Sequence, residues 1–311
     1  MTEQYRKRLK DAFTSYLFLP TNMEPHLREV LGRVLSNPGS LVRPEIVLDL
    51  SLGYGLAESE AMDLAIGLEY FHTASLLFDD LPSMDDASER RGIRCVHLEF
   101  GDAGAILAAL ALVNRAYALI WRAVSTLPYQ RGSRALAYVE RNLGVDGLLN
   151  GQSLDLHYAM LPHNRETTER IAMGKTVSLI RLTLVLPAIL GGASASELQI
   201  LERIALYWGL SYQIVDDLKD LLQTPTGAGK SISRDLSLDR PNTALAVGIT
   251  GAVERLHRLI GLGDKMLQRL IAVRPSVIFL DNLRTQLRGE AFQLTRLSRE
   301  EVGGVVCSSS N

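Results

Sequence analysis

The chain has 311 residues, 47% of them hydrophobic and 22% charged, with a formal net charge of −2. This excludes a disordered chain, allows a large core, and excludes a global positive field able to hold nucleic acid or an anionic membrane surface. Its two cysteines, Cys95 and Cys307, are far apart and unpatterned, which excludes a disulfide scaffold and makes a reducing compartment, the cytoplasm by default, the expected location.

The N-terminus carries charges through Asp11 and has no apolar stretch ending in a small-residue cleavage site, so no signal peptide is expected. From there on, apolar residues recur at intervals of three and four, and breakers divide the pattern into helices. The breakers are Pro20, Asn37-Pro38-Gly39, Pro82, Gly101, Pro162, Gly191-Gly192, Pro225 to Gly229, Pro241, and the pair Gly261 and Gly263. An apolar helix runs from Ala61 to Leu81. Leu198, Leu201, Ile204, Trp208, Tyr212 and Val215 form one stripe of another. The longest uncharged stretch, between Arg181 and Glu197, contains Pro187, Gly191 and Gly192 and falls short of the roughly 18 apolar residues needed to span a membrane, so no membrane insertion is expected. The segment from Gln223 to Asn242 is polar and rich in Gly, Ser and Pro. With Lys230, Arg234 and Arg240 in it, it reads either as a lid over an anion or as a surface loop. No composition shift marks a linker, so the pattern predicts an all-α single domain of about ten helices over residues 1–302, with a disordered tail over 303–311.

Two acidic clusters stand out, Asp79-Asp80-Leu-Pro-Ser-Met-Asp85 followed by Asp86, and Asp216-Asp217-Leu-Lys-Asp220. Gln213, Asp216, Asp217 and Asp220 fall at i, i+3, i+4 and i+7 and project from one helical face, as do His72, Ser75 and Asp79. Carboxylates stacked this way repel one another unless water or a cation neutralises them, and hard oxygen ligands of this kind suit magnesium. Either cluster alone reads as a solvated acidic turn. Arg90-Arg91-Gly92 shortly after the first cluster changes that reading, because guanidinium is shaped to bind phosphate oxygens in pairs. Carboxylates recognise a diphosphate only through bridging cations, so lysine and arginine must complete the cage. Lys175 with Thr176, Lys230 and Arg240 are the candidates. Gly229-Lys230-Ser231 looks like the end of a nucleotide-binding P-loop, but the first glycine of that motif would fall at Thr224 and a helix precedes it, which argues against ATP.

The run from His72 through Asp79-Asp80 to Asp85, with Arg90-Arg91-Gly92, resembles the first aspartate-rich motif of the trans-isoprenyl diphosphate synthases, the farnesyl and geranylgeranyl diphosphate synthase family. Tyr212-Gln213-Ile-Val-Asp216-Asp217-Leu-Lys-Asp220 resembles the second, and Gly-Lys175-Thr176 and Gly229-Lys230-Ser231 with Asp235 stand in the family's order. The resemblance implies an isoprenoid synthase bundle around a deep central cavity, usually a homodimer, that condenses isopentenyl diphosphate with an allylic diphosphate head to tail. It implies Mg2+, three ions with substrate bound and Mn2+ as a substitute, held by Asp79, Asp80, Asp85, Asp216, Asp217 and Asp220. Arg90, Lys175, Lys230 and Arg240 would bind the allylic diphosphate, Arg43, His72 and Arg91 would bind isopentenyl diphosphate, and Thr176 and Gln213 would steady the developing cation. Product length in the family depends on residues upstream of the first motif. Ala74 and Ser75 are small and Tyr70 and Phe71 are the next bulky side chains, which favours geranylgeranyl diphosphate, with farnesyl diphosphate next.

Two departures weaken the match. Ser40 stands where the family usually has a lysine for isopentenyl diphosphate, and Asp239-Arg240-Pro241-Asn242 alters a second basic pair. The loss at Ser40 keeps a class I terpene cyclase acting on a single allylic diphosphate as the rival reading. Arg43, His72 and Arg91, for which a cyclase has no evident use, favour the transferase. A weakly catalytic subunit of a hetero-oligomeric synthase is a third reading, opposed by intact aspartates in both motifs.

Overall fold

The computed structural model describes residues 3–222 and 240–308, with side chains described as far as Ser298. The helices are α1 Glu3–Ser15, α2 Pro25–Leu35, α3 Val42–Gly53, α4 Glu58–Asp79, α5 Val96–Ser125, α6 Tyr129–Leu143 and α7 Leu148–Leu156. They continue with α8 Arg165–Ala172, α9 Ser178–Leu184, α10 Leu186–Leu190, α11 Ala195–Leu222, α12 Thr243–Val247, α13 Ile249–Val273 and α14 Leu280–Ser308. The all-α expectation holds. α14 carries the backbone helically from Gly303, where a tail was expected, as far as Ser308.

The chain groups into two compact units, one of Met1–Tyr138 with Leu182–Ala193, the other of Val139–Arg181 with Ser194–Asn311. The missing linker composition, from which a single domain was expected, has a structural reason. Two of the changes from one unit to the other fall inside α6 and α9, where helix-forming residues are required, and the third falls at Ser194, the cap of α11.

In the first unit α4 is buried on nearly every side between Ala61 and Ala74. It packs along α5 so closely that a Cβ on Gly67 would lie 3.2 Å from the Ala116 carbonyl oxygen. α5 turns at Gly101 (φ 76), one of the expected breakers. α2 starts at Pro25, with Glu24 accepting from the backbone N–H groups of His26 and Leu27. One feature was not expected. Among the described residues the one strand pairing is a short hairpin, Glu89–Arg90 against Ile93–Arg94, turned by Arg91 (φ 57) and Gly92 (φ 74). Strands this short leave no period in the sequence.

In the second unit α11 opens with a capping box, in which Ser194 Oγ accepts from the Glu197 N–H at 3.2 Å and Glu197 Oε2 accepts from the Ser194 N–H at 2.9 Å. Arg274 Nε, just after α13, donates to the same glutamate. α11 and α13 share a core with α14, centred on Leu218, Leu256 and Leu294. Between α8 and α9 the backbone widens into a π-helical turn, Met173–Val177, packed on α7.

Among the described residues, Val96–Ser125 and Arg165–Leu190 are long and apolar enough, by length and composition, to cross a membrane. Reading uncharged runs alone missed α5, because Arg115 and Arg122 interrupt it. The segment Arg165–Leu190 owes its apolar composition to burial, 67% of its most apolar window lying inside the protein.

Candidate active site

In the first unit α4 ends at Asp79, and the chain folds back so that the Asp85 N–H donates to the Asp79 carbonyl at 2.9 Å and the Ala87 N–H to that of Asp80 at 3.1 Å. Pro82 forces this turn, which brings Asp85 back beside Asp79 with both side chains partly exposed. Asp80 is buried, and its Oδ1 accepts from Arg90 Nε at 2.8 Å and Nη2 at 2.6 Å. Of the metal ligands expected in this motif, Asp80 therefore stands as the partner of Arg90, and Asp79 and Asp85 are the carboxylates with exposed surface.

The hairpin carries Arg91 to His72, two turns back along α4. Its Nη2 donates to His72 Nε2 at 3.3 Å, and its guanidinium lies against Gly39, where any Cβ would overlap it at 2.1 Å. Burial, then the positive charges of Arg43, Arg91 and Arg90, push the His72 imidazole down to about 2, so it is neutral and carries its proton on Nδ1. Arg43, at the start of α3, lies 3.9 Å from the buried Glu69 carboxylate on α4. The expected isopentenyl diphosphate residues, Arg43, His72 and Arg91, are thus gathered in one unit. Arg33, Arg90, Arg91 and Arg94 also line one small cleft with Asn37 and Thr73.

The product-length residues divide. Tyr70 is fully buried, its ring edge-on to Phe13 and its hydroxyl donating to the Phe13 carbonyl at 2.6 Å, so it fills the contact with α1. Ala74 is 1% exposed and lies two turns beyond Gly67, on the face packed against α5, where its small size serves helix contact. Ser75 is partly exposed on the His72 and Asp79 face. One turn below it, Phe71 stands edge-on to Tyr117 of α5 at 4.8 Å.

In the second unit Lys175 and Thr176 sit on the π-helical turn, a geometry that points side chains where a regular helix would not. Thr176 Oγ1 donates to Gln213 Oε1 at 2.6 Å, and Gln213 Nε2 donates to Asp217 Oδ1 at 2.8 Å. The Thr243 N–H donates to Asp217 Oδ2 at 2.7 Å. Both oxygens of Asp217 are thus engaged and the group is buried, which makes it the anchor of Gln213 and, through it, of Thr176. Asp216 is partly exposed on the same helix and Asp220 is buried. Lys175 Nζ donates to Asp155 Oδ2 at 2.8 Å, and Arg240 Nη1 lies 3.8 Å from the same oxygen. Lys230, Arg234 and Asp235 lie outside the described residues.

Among the described residues no three acidic, histidine or cysteine side chains converge to hold a metal ion by themselves. The donors of each unit fit Mg2+. Asp79 and Asp85 in the first unit, and Asp216 in the second, offer carboxylate oxygens with exposed surface, and this ion is commonly held by one or two carboxylates plus substrate phosphate and water. Sequence reasoning missed Glu69 and Asp155. Glu69 is an acid within an otherwise apolar helical stretch, which was the available signal, and Asp155, in the more polar α7, offered none.

Glu69 gives a pH test. Burial pushes its carboxyl up to about 7, against the smaller opposing pull of Arg43 and Arg91. The folded protein therefore holds a proton that the unfolded chain has released, and stability falls as pH rises from about 4.5 to about 7. His72, held neutral, acts oppositely, losing stability as pH falls through about 6.5. Glu69→Gln should flatten the first component. Relative to the parent it gains up to about 3 kcal/mol at pH 7.5 and little at pH 5, measured by urea unfolding. A parent-to-mutant difference independent of pH would contradict this.

Residues 24–272 match the family model "Polyprenyl synthetase". The chain is 32% identical over 269 residues to the chloroplastic geranylgeranyl pyrophosphate synthase of Capsicum annuum, covering 83% of this chain and 73% of that one. It is also 32% identical over 269 residues to the heterodimeric geranylgeranyl pyrophosphate synthase large subunit 1 of Arabidopsis thaliana, covering 82% and 72%. The fold is similar to a geranyltransferase of Helicobacter pylori crystallised with magnesium and isoprenyl diphosphate, with a TM-score of 0.76 at 24% identity, covering 94% of this chain and 97% of that one. With most of its length inside the family model and such relatives on both sequence and fold, this chain belongs to the polyprenyl synthetase family.

Proposed function

We propose that this protein condenses isopentenyl diphosphate with an allylic diphosphate head to tail, and that geranylgeranyl diphosphate is its main product. The observation that carries the reading is the gathering of Arg43, neutral His72 and Arg91 in one unit. A terpene cyclase, which takes no second diphosphate, has no use for it.

The chain's own groups divide the work. Arg43 and Arg91 hold the isopentenyl diphosphate charge, and His72 Nδ1–H supplies one oriented donor. Arg90, Lys175 and Arg240 donate to the allylic diphosphate more strongly as charge grows on its bridging oxygen, which lowers the barrier to ionisation. Thr176 Oγ1 and Gln213 Oε1 turn partial negative charge toward the allylic cation, and Asp217 holds both in place. The isopentenyl double bond attacks that cation, and the proton lost afterwards passes to the departed pyrophosphate. Mg2+, for which Asp79, Asp85, Asp216 and Asp220 are the proposed ligands, supplies neutralisation of the diphosphate when bound, with three ions and Mn2+ as a substitute part of the same proposal.

A homodimer in the cytoplasm completes the reading. α5 leaves Leu107 and Leu110 51% and Trp121 60% exposed, with Tyr117 between them on one stripe. Arg115 and Arg122 are turned away from it, to the Tyr16 carbonyl and to Asp63. A second copy of the chain is the proposed occupant, because a two-fold axis sets such a stripe against itself. Leu110→Glu should turn a dimer into a monomer in sedimentation. A parent that sediments as a monomer refutes it.

Product length tests the reaction itself. With isopentenyl diphosphate, farnesyl diphosphate and Mg2+, the parent should yield geranylgeranyl diphosphate. Ser75→Phe, on the His72 and Asp79 face, should cut that product at least about tenfold while geranyl diphosphate is still elongated. Cyclic hydrocarbon from farnesyl diphosphate alone would show a cyclase instead, and undiminished elongation in Ser75→Phe would show that the growing chain does not pass this face.

A further inference from the structure

We propose that Asp155, on α7, is a positioning residue for the leaving diphosphate, acting through Lys175 and Arg240. The inference rests on the prenyl-transfer reading and deepens it, because it assigns a role to a carboxylate outside both aspartate-rich motifs.

The geometry begins with two glycines. Gly151 of α7 and Gly174 of the π-helical turn touch backbone to backbone. A Cβ on Gly151 would lie 2.2 Å from the Lys175 nitrogen, and one on Gly174 would lie 2.6 Å from the Gly151 Cα. Only glycine permits this approach at either position. Asp155 follows Gly151 by one helical turn on the same face, so the contact that joins the two segments also sets its carboxylate beside Lys175. Asp155 is 6% exposed. Its Oδ2 accepts from Lys175 Nζ at 2.8 Å, and Arg240 reaches it from the other side of the undescribed segment.

Two features separate positioning from simple support. The approach of α7 to the turn is already held by the glycine contact, and Arg240 Nη1 also donates to the Asp155 main-chain carbonyl at 3.3 Å. Neither contact needs the carboxylate. The Asp155 carboxylate itself contributes direction. A lysine ammonium sits on a flexible four-carbon stem with three rotatable donors, and fixing one proton on Asp155 sets the directions of the other two. It also lets Lys175 and Arg240 stay close without repelling each other. The group of three carries a net charge of +1, so it still attracts a diphosphate. Removing the Asp155 charge strengthens that attraction while it releases the orientation. The loss then falls on the step in which charge grows at a fixed place, more than on ground-state binding.

A double-mutant cycle tests this with Asp155→Asn, Lys175→Met and the pair, in the full-length protein. Two quantities are read, kcat for allylic transfer and the Kd of magnesium pyrophosphate by calorimetry, with the melting temperature of each variant alongside. Asp155→Asn should lower kcat about tenfold and shift the isopentenyl diphosphate KM less than about twofold. In the Lys175→Met background it should cost little more, because the lysine it directs is gone. An unchanged kcat in Asp155→Asn overturns the proposal, as does a double mutant whose loss is the product of the single losses, with a lowered melting temperature, which marks a structural role. If the parent transfers no allylic group, the prenyl-transfer reading fails, and the Kd cycle decides the Asp155 assignment alone. Non-additive Kd values then support it, and additive or unchanged values overturn it.

Discussion

A buried carboxylate is stable only beside a cation or a set of N–H donors, and this constraint orders the polar groups of both units. Asp80 is met by Arg90, Asp217 by the Gln213 amide and the Thr243 N–H, and Asp155 by Lys175 and Arg240. In the proposed reaction the same pairings aim the basic groups. Arg90, Lys175 and Arg240 are long side chains that would otherwise sample many rotamers, and holding them in advance would spare much of the ordering cost of gripping a diphosphate.

In the proposed reaction the two substrates meet different charge chemistries. Isopentenyl diphosphate, which keeps its diphosphate throughout, is assigned to arginines and a neutral imidazole, a set that attracts an anion by itself. The allylic diphosphate must depart, and beside Arg90, Lys175 and Arg240 it is assigned to aspartate motifs whose acids repel it until cations intervene. Glu69 stands behind the first set. Raised to about 7, it moderates the field around Arg43 without placing a full negative charge beside an incoming anion.

Much of this was legible in the sequence, and the physical reason is spacing. The helical period of Gln213, Asp216, Asp217 and Asp220 is local, and so is the turn forced by Pro82, so both motifs and the all-helical class could be read directly. What could not be read depends on contacts between distant segments. That Asp217 is fully hydrogen-bonded follows from Thr243, and that Tyr70 points to Phe13 follows from α1. That Ala74 lies on the face packed against α5 likewise follows from a segment beyond both the aspartate turn and the hairpin. Glu69 and Asp155 stay silent in the sequence because a lone acid in a helix acquires meaning only from its partner. The hairpin that carries Arg90 and Arg91 is too short for any period to reveal it.

The difference between the two diphosphate sites is the claim most directly open to measurement. Isopentenyl diphosphate and an unreactive thio analogue of an allylic diphosphate would each be titrated calorimetrically into the protein, once in Mg2+ and once in EDTA. Isopentenyl diphosphate should bind with similar affinity in both buffers, because its residues are cationic or neutral, whereas the allylic analogue should bind only in Mg2+. Equal binding of the analogue in EDTA, or loss of isopentenyl diphosphate binding there, would contradict the account.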